Sequence, residues 1–110
     1  MLEILEKIRI IITEKLDIKP CYQVAKGEDS EYIIYDIYLE QDEGFEDDIN
    51  TEVIYFVTLN YWHTGKQGLK NYTKIKEAFK SEGFFFDDIT TLKSKKENVF
   101  GKNYTFKYLK

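Results

Sequence analysis

The stretch TEVIYFVTLNY, residues 51–61, decides how this chain is read. Val53, Tyr55, Val57, Leu59 and Tyr61 alternate with Ile54, Phe56, Thr58 and Asn60. That is the two-residue period of a β-strand, whose side chains point to opposite faces in turn. Near its start both faces are apolar, so the strand reads as central and covered on both sides. Upstream, Glu31–Leu39 repeats the period, with Ile33, Tyr35, Ile37 and Leu39 on one face and Tyr32, Asp36 and Tyr38 on the other. Downstream, Val99–Leu109 closes the chain as a strand in which Tyr104, Phe106 and Tyr108 alternate with Thr105 and Lys107. Cys21–Ala25 and Phe84–Phe86 read as shorter extended segments, and Ile89–Leu92 as a weak strand inside the polar run Asp87–Asn98.

Two segments carry the helical period instead. In residues 2–16, Leu2, Leu5, Ile8, Ile12 and Leu16 form a stripe that Ile4 and Ile11 widen, and Ile10 falls outside it. Asp17–Pro20 ends this helix, because the residue before proline avoids the helical region. In residues 69–81, Leu69, Tyr72, Ile75 and Phe79 form the stripe with Ala78 beside it, and Lys70, Lys74, Lys76 and Lys80 lie outside. Gly83 stands where a left-handed cap residue is expected. Lys26–Ser30 and Trp62–Gly68 read as turns.

Short turns between successive strands favour antiparallel pairing. The expected architecture is a single α+β domain over residues 1–110, in the order α-β-β-(β)-α-β-β. It has an antiparallel sheet of four to five strands with both helices on one face. The other face, bearing Tyr32, Tyr38, Ile54 and Phe56, has no third helix to cover it. A bare apolar sheet face of this kind meets a partner.

Composition points the same way. Tyr, Phe and Trp make 18 of 110 residues, and Tyr and Trp are enriched both in strands and at protein interfaces. The net charge of −4 is unevenly placed: residues 1–55 carry −10 and residues 56–110 carry +6. The acids concentrate in Glu40–Asn50, which reads as a hairpin extension or an exposed loop. Asp42, Glu43, Glu46, Asp47 and Asp48 are its candidate interface residues. Lys93, Lys95 and Lys96 are the candidate basic counterpart. The overall sign argues against unaided binding to nucleic acid or an anionic membrane. No apolar run approaches the roughly 20 residues of a membrane-spanning helix. Met1–Leu16 is broken by charges and does not read as a signal peptide, and the lone Cys21 suits a reducing compartment.

Chemistry finds little to build on. A Cys21–His63 dyad lacks an elbow, a helix N-terminus or an orienting carboxylate, so the sequence reads as a buried thiol and an unconnected surface histidine. One His and one Cys do not make a zinc shell, and residues 42–48 lack the spacing of a calcium loop. Gly65-Lys66-Gln67-Gly68 precedes a helix but matches no nucleotide fingerprint. The C-terminal lysines interleaved with Phe100, Tyr104, Phe106 and Tyr108 fit a base-stacking surface, and equally a charged edge strand. Asp47-Asp48 and Asp87-Asp88 read as turn residues. No catalytic residue, metal or cofactor is assigned.

The order of these pieces carries a resemblance. An N-terminal helix precedes Tyr32-Ile33-Ile34-Tyr35, then come the acidic turn with Asp47-Asp48 and the long strand ending in Tyr61-Trp62-His63-Thr64. The helix Leu69–Phe79 leads to Glu82-Gly83-Phe84, and Tyr104-Thr105-Phe106-Lys107-Tyr108 closes the chain. This layout resembles the tail-terminator, tail-completion or head–tail joining proteins of long-tailed bacteriophages and prophages, often called minor capsid or minor tail proteins. The resemblance implies a non-catalytic virion subunit that forms a homo-oligomeric ring, often a hexamer. Its partners would be the tail tube and the head connector, and it would assemble in the host cytoplasm before residing in the virion. The alternative from composition is a small acidic, immunity-type binding protein that masks a basic partner.

Overall fold

The computed structural model describes residues 1–27, 30–42 and 52–110. The chain opens with α1 (Leu2–Ile10), which runs straight into a π-helical turn, Ile11–Lys15. The strands are β1 (Lys19–Tyr22), β2 (Glu31–Asp42), β3 (Val53–Thr64), β4 (Phe85–Leu92) and β5 (Val99–Leu109). Between β3 and β4 lie a 3-10 turn, Gln67–Lys70, and α2 (Asn71–Ser81). The strands form one sheet in the spatial order β1-β2-β3-β5-β4, so β3 is central as its two-sided pattern requires.

The α+β class and the packing of the helices on the sheet are as expected, with corrections in detail. The sheet is mixed rather than antiparallel, because β1 runs parallel to β2. The short connection manages this return with two left-handed residues, Gln23 (φ 66°) and Gly27 (φ 82°). Pro20 is tolerated in β1 because an edge strand leaves one side of its backbone unpaired. Residues 62–64 are not a turn: β3 continues through Thr64, opposite Val99. The extended segments at 84–86 and 89–92 are one strand, β4, whose pairing shifts between Phe86 and Asp88. Asp87 and Asp88 therefore sit at a strand irregularity rather than in a turn.

One face of the sheet holds the core. Ile33, Tyr35 and Ile37 of β2, Tyr55, Val57, Leu59 and Tyr61 of β3, and Tyr104 and Phe106 of β5 are all buried there. Ile4, Ile8, Ile11 and Ile12 cover them from the first helix, and Ile75 and Phe79 from α2. The predicted stripe was therefore off by part of a turn. Ile4 and Ile11 are central, whereas Leu2 is 79% exposed and Leu69 is 51% exposed. In the first helix Ile4, Ile8, Ile11 and Ile12 keep the ordinary i, i+4, i+7, i+8 spacing, so the covered face is centred between Ile4 and Ile8 and Leu2 falls outside it. The π-helical turn follows, where Leu16 N–H donates to the carbonyl of Ile11 (3.2 Å). Thr13 Oγ1 donates to the Arg9 carbonyl (2.8 Å), a contact that bends helices.

The end of α2 follows its sequence signal. Gly83 is left-handed (φ 94°), its N–H donates to the Lys80 carbonyl, and Phe84 N–H donates to the Phe79 carbonyl, both at 3.1 Å. These are the two bonds of a Schellman cap. The apolar contact that accompanies such a cap is here an edge-to-face pair, Phe79 on Phe84, with ring centroids 5.2 Å apart.

Candidate functional site

The pairing register sorts the other face of the sheet into rows. At one end Tyr32, Trp62, Gly101 and Leu92 lie side by side across the strands. Gly101 is required there: a Cβ on it would sit 2.6 Å from the Trp62 ring, so the indole lies flat against the glycine backbone. At the other end Phe56, Lys107 and Phe85 form a row, with Tyr38 packed on Phe56 (6.0 Å between rings) and Ile54 opposite Leu109 one row beyond. Between these ends run two mainly polar rows, Asp36-Thr58-Thr105-Asp88 and Ile34-Asn60-Asn103-Thr90. Asn103 Nδ2 donates to Thr58 Oγ1 (2.8 Å) and Asn60 Oδ1 (2.7 Å), so this belt satisfies itself sideways. Tyr32, Tyr38, Ile54 and Phe56 are thus brought to one face, as their parity requires, but as two apolar ends and not one continuous patch. No described element lies over them. Trp62 belongs to the same face, and the alternation of Ile54 and Phe56 carried six residues further would have identified it.

The lysines stand at the Tyr32–Trp62 end. Lys95 and Lys96, with Ser30, Ser94, Tyr32 and Trp62, line a groove of about 610 Å³. Lys93 is exposed at the start of the same β4–β5 connection. Asp42 lies at the far end of β2, opposite Val53, with Glu40 two residues before it and Glu52 preceding Val53. Glu43, Glu46, Asp47 and Asp48 lie outside the described residues.

A second, polar cleft of about 470 Å³ adjoins the groove and shares Ser30, His63 and Thr64 with it. Its wall is a hydrogen-bonded cluster that sequence reasoning did not foresee, since Glu31, Tyr61 and Asn71 come from three separate elements. The Tyr61 hydroxyl donates to Glu31 Oε2, and Asn71 Nδ2 donates to the same oxygen at 2.8 Å. Burial first, and then the bond to the Glu31 carboxylate, raise the Tyr61 phenol well above the ordinary tyrosine value.

His63 is not a surface residue. It is 2% exposed, stacked on Tyr61 (5.1 Å) and flanked by Phe100 (5.6 Å) and Tyr72 (5.4 Å). Its Nδ1 lies 3.1 Å from the Gly65 carbonyl, which can only accept, so Nδ1 carries the proton. Its Nε2 then accepts from the Tyr72 hydroxyl at 2.6 Å. Both ring nitrogens are used inside the fold, which leaves neither free for a ligand in the cleft. Cys21 is buried, as read, but it is in register with Ile34, on the face opposite His63 and one strand beyond β2. The two do not meet. Among the described residues no group of three or more His, Cys, Asp and Glu side chains is placed to hold a metal ion. Among them, too, no helix is long and apolar enough to cross a membrane. No family model matches the chain, and no curated protein matches it.

Proposed function

We propose that this chain is a virion structural subunit that ends a phage tail or joins the tail to the head, acting by ring assembly and protein contact rather than by catalysis. The observation that carries the proposal is the bare second face of the sheet. Tyr38 is 51% exposed, Phe85 60% and Leu109 41%, and they cluster with Phe56 and Ile54 at one end of that face. Among the described residues two helices cover one side of the sheet and none lies on the other, so neighbouring molecules are its natural cover. The layout resemblance supplies the kind of assembly, and the internally satisfied His63 and the separated Cys21 supply no reason to prefer an enzyme. In this reading the partners are copies of the chain, the tail tube and the head connector. It assembles in the host cytoplasm and is carried in the virion.

The test is sedimentation of the purified chain over a wide concentration range, with electron microscopy of any large species and a binding assay against a purified phage tail-tube protein. Rings, and binding to the tube end, are expected. Tyr38→Lys should weaken association without lowering the melting temperature. A chain that stays monomeric throughout and ignores the tube would overturn the reading, and capture of a single basic protein by that monomer would favour the immunity-type alternative.

A further inference from the structure

We propose that Asp36 and Asp88 guard the two open edges of the sheet, each by holding a backbone N–H through which a second chain would add a strand. Association of this protein is thereby directed away from its sheet edges. The inference goes beyond the assembly reading above and does not depend on it. An unpaired strand edge presents a row of N–H and C=O groups that templates pairing with another chain, and proteins blunt such edges with proline, lysine, short strands or bulges. The β1 edge is blunted in this way, being four residues long and containing Lys19 and Pro20. The other two edges have neither proline nor lysine. β4 reads FFDDITTL, and Phe85, Ile89, Thr90 and Thr91 are exposed along it. β1 pairs with β2 only as far as Tyr35, so the remainder of β2, DIYLEQD, is a second open edge. Among the described residues no strand pairs with either one.

Both edges carry the same arrangement. The Ile37 N–H donates to Asp36 Oδ1 and the Ile89 N–H to Asp88 Oδ1, each at 2.8 Å. On β2 the direction of that N–H follows from its neighbour. Gln23 N–H donates to the Tyr35 carbonyl from the β1 side (3.0 Å), so the polar groups of Tyr35 face away from β3. Those of Ile37, two residues on and still in register with Val57, face the same way. The Asp36 carboxylate therefore occupies the first outward N–H beyond the end of β1, and Gln23 Nε2, 3.4 Å from both of its oxygens, braces it. β4 has β5 as its one strand neighbour, and an N–H held there by a side chain is one the ladder leaves over. Each aspartate also adjoins a pairing shift, between Ile37 and Leu39 and between Phe86 and Asp88, where the ladder is already interrupted. The register sets the two at opposite ends of one row, Asp36-Thr58-Thr105-Asp88. A strand approaching from either side meets a charge and an occupied donor.

Amide hydrogen exchange of the full chain, followed residue by residue by NMR, reads the bond directly, and sedimentation with thioflavin fluorescence reads its consequence. In Asp36→Ala the Ile37 amide, and in Asp88→Ala the Ile89 amide, should exchange about tenfold faster, with the amides of central β3 unchanged. A chain carrying both substitutions should form strand-paired, thioflavin-positive species at concentrations at least about tenfold below those the wild type needs. Asp36→Asn and Asp88→Asn keep an acceptor oxygen and lose the charge, so they should behave as the wild type does. Unchanged exchange at Ile37 and Ile89 in the alanine chains would overturn the proposal, as would alanine chains no more prone to edge pairing than the wild type. Asparagine chains that pair as readily as the alanine chains would assign the protection to charge and sink the hydrogen bond's part in it. Asp88 is exposed, so Asp88→Ala carries the test by itself if the half-buried Asp36 tolerates no substitution.

Discussion

At the scale of single residues, the end of the sheet near His63 is held by close fit as much as by hydrogen bonds. A Cβ on Gly68 would lie 2.3 Å from His63 Cγ and 2.4 Å from Nδ1, and the ring cannot retreat because Tyr61, Tyr72 and Phe100 enclose it. Gly68→Ala should therefore destabilise the fold by about 1–3 kcal/mol through overpacking, read as a lower midpoint in urea. Tyr72→Phe leaves His63 Nε2 without its donor in a buried site and should cost about 1–3 kcal/mol. A loss near zero would mean that water replaces the hydroxyl. The buried tyrosines also set an alkaline limit. Tyr61 is raised by burial and by Glu31, and Tyr104 by burial and then by Tyr72. Each phenol therefore keeps its proton in the folded state where the unfolded chain has lost it. Stability should be flat below the ordinary tyrosine pKa of about 10 and fall as pH rises beyond it toward the folded values. Denaturant midpoints measured from pH 8 upward check the sign.

At the scale of elements, α2 and its cap are the most closely specified piece. Phe79 is fully buried, stacks on Phe106 (5.2 Å) and meets Phe84 edge-on, so one side chain joins helix, cap and central sheet. Phe79→Ala should cost about 3–5 kcal/mol, enough to unfold a marginal domain, as seen by thermal melting. The cap was legible in the sequence because Gly83 follows the last apolar position of the stripe at the required spacing. The first helix was less so. Its three-four periodicity holds only while the turns are α-helical, and the π-helical turn at Ile11–Lys15 rotates everything after it. Lys7 and Lys15 then both reach Glu82 at the end of α2, tying the two helices side by side over the sheet.

At the scale of the whole molecule, the uneven charge of the chain, −10 in residues 1–55 and +6 in residues 56–110, makes association a question of screening. Raising salt from about 0.1 M to about 1 M contracts the Debye length from about 10 Å to about 3 Å. If unlike charges meet, that change should weaken self-association and slow its onset, as light scattering against time would record. Association that strengthens with salt would instead place the apolar end around Tyr38, Phe56 and Phe85 at the centre of the contact.

The alternation in residues 51–61 was enough to determine a central strand, and with it an α+β sheet that carries Tyr32, Tyr38, Ile54 and Phe56 on one side, because side-chain direction in a strand follows parity until the register shifts. It shifts between Ile37 and Leu39, where Leu39 comes to lie opposite Phe56 and not on the face of Ile33. Parity says nothing about which strands are neighbours or how they are offset. The parallel entry of β1, the polar belt across the open face, the burial of His63 between Tyr61 and Tyr72, and the convergence of Glu31 with Asn71 all depend on pairing between residues distant in the chain. Those contacts exist only once the register is set, and so the tertiary structure alone decided them.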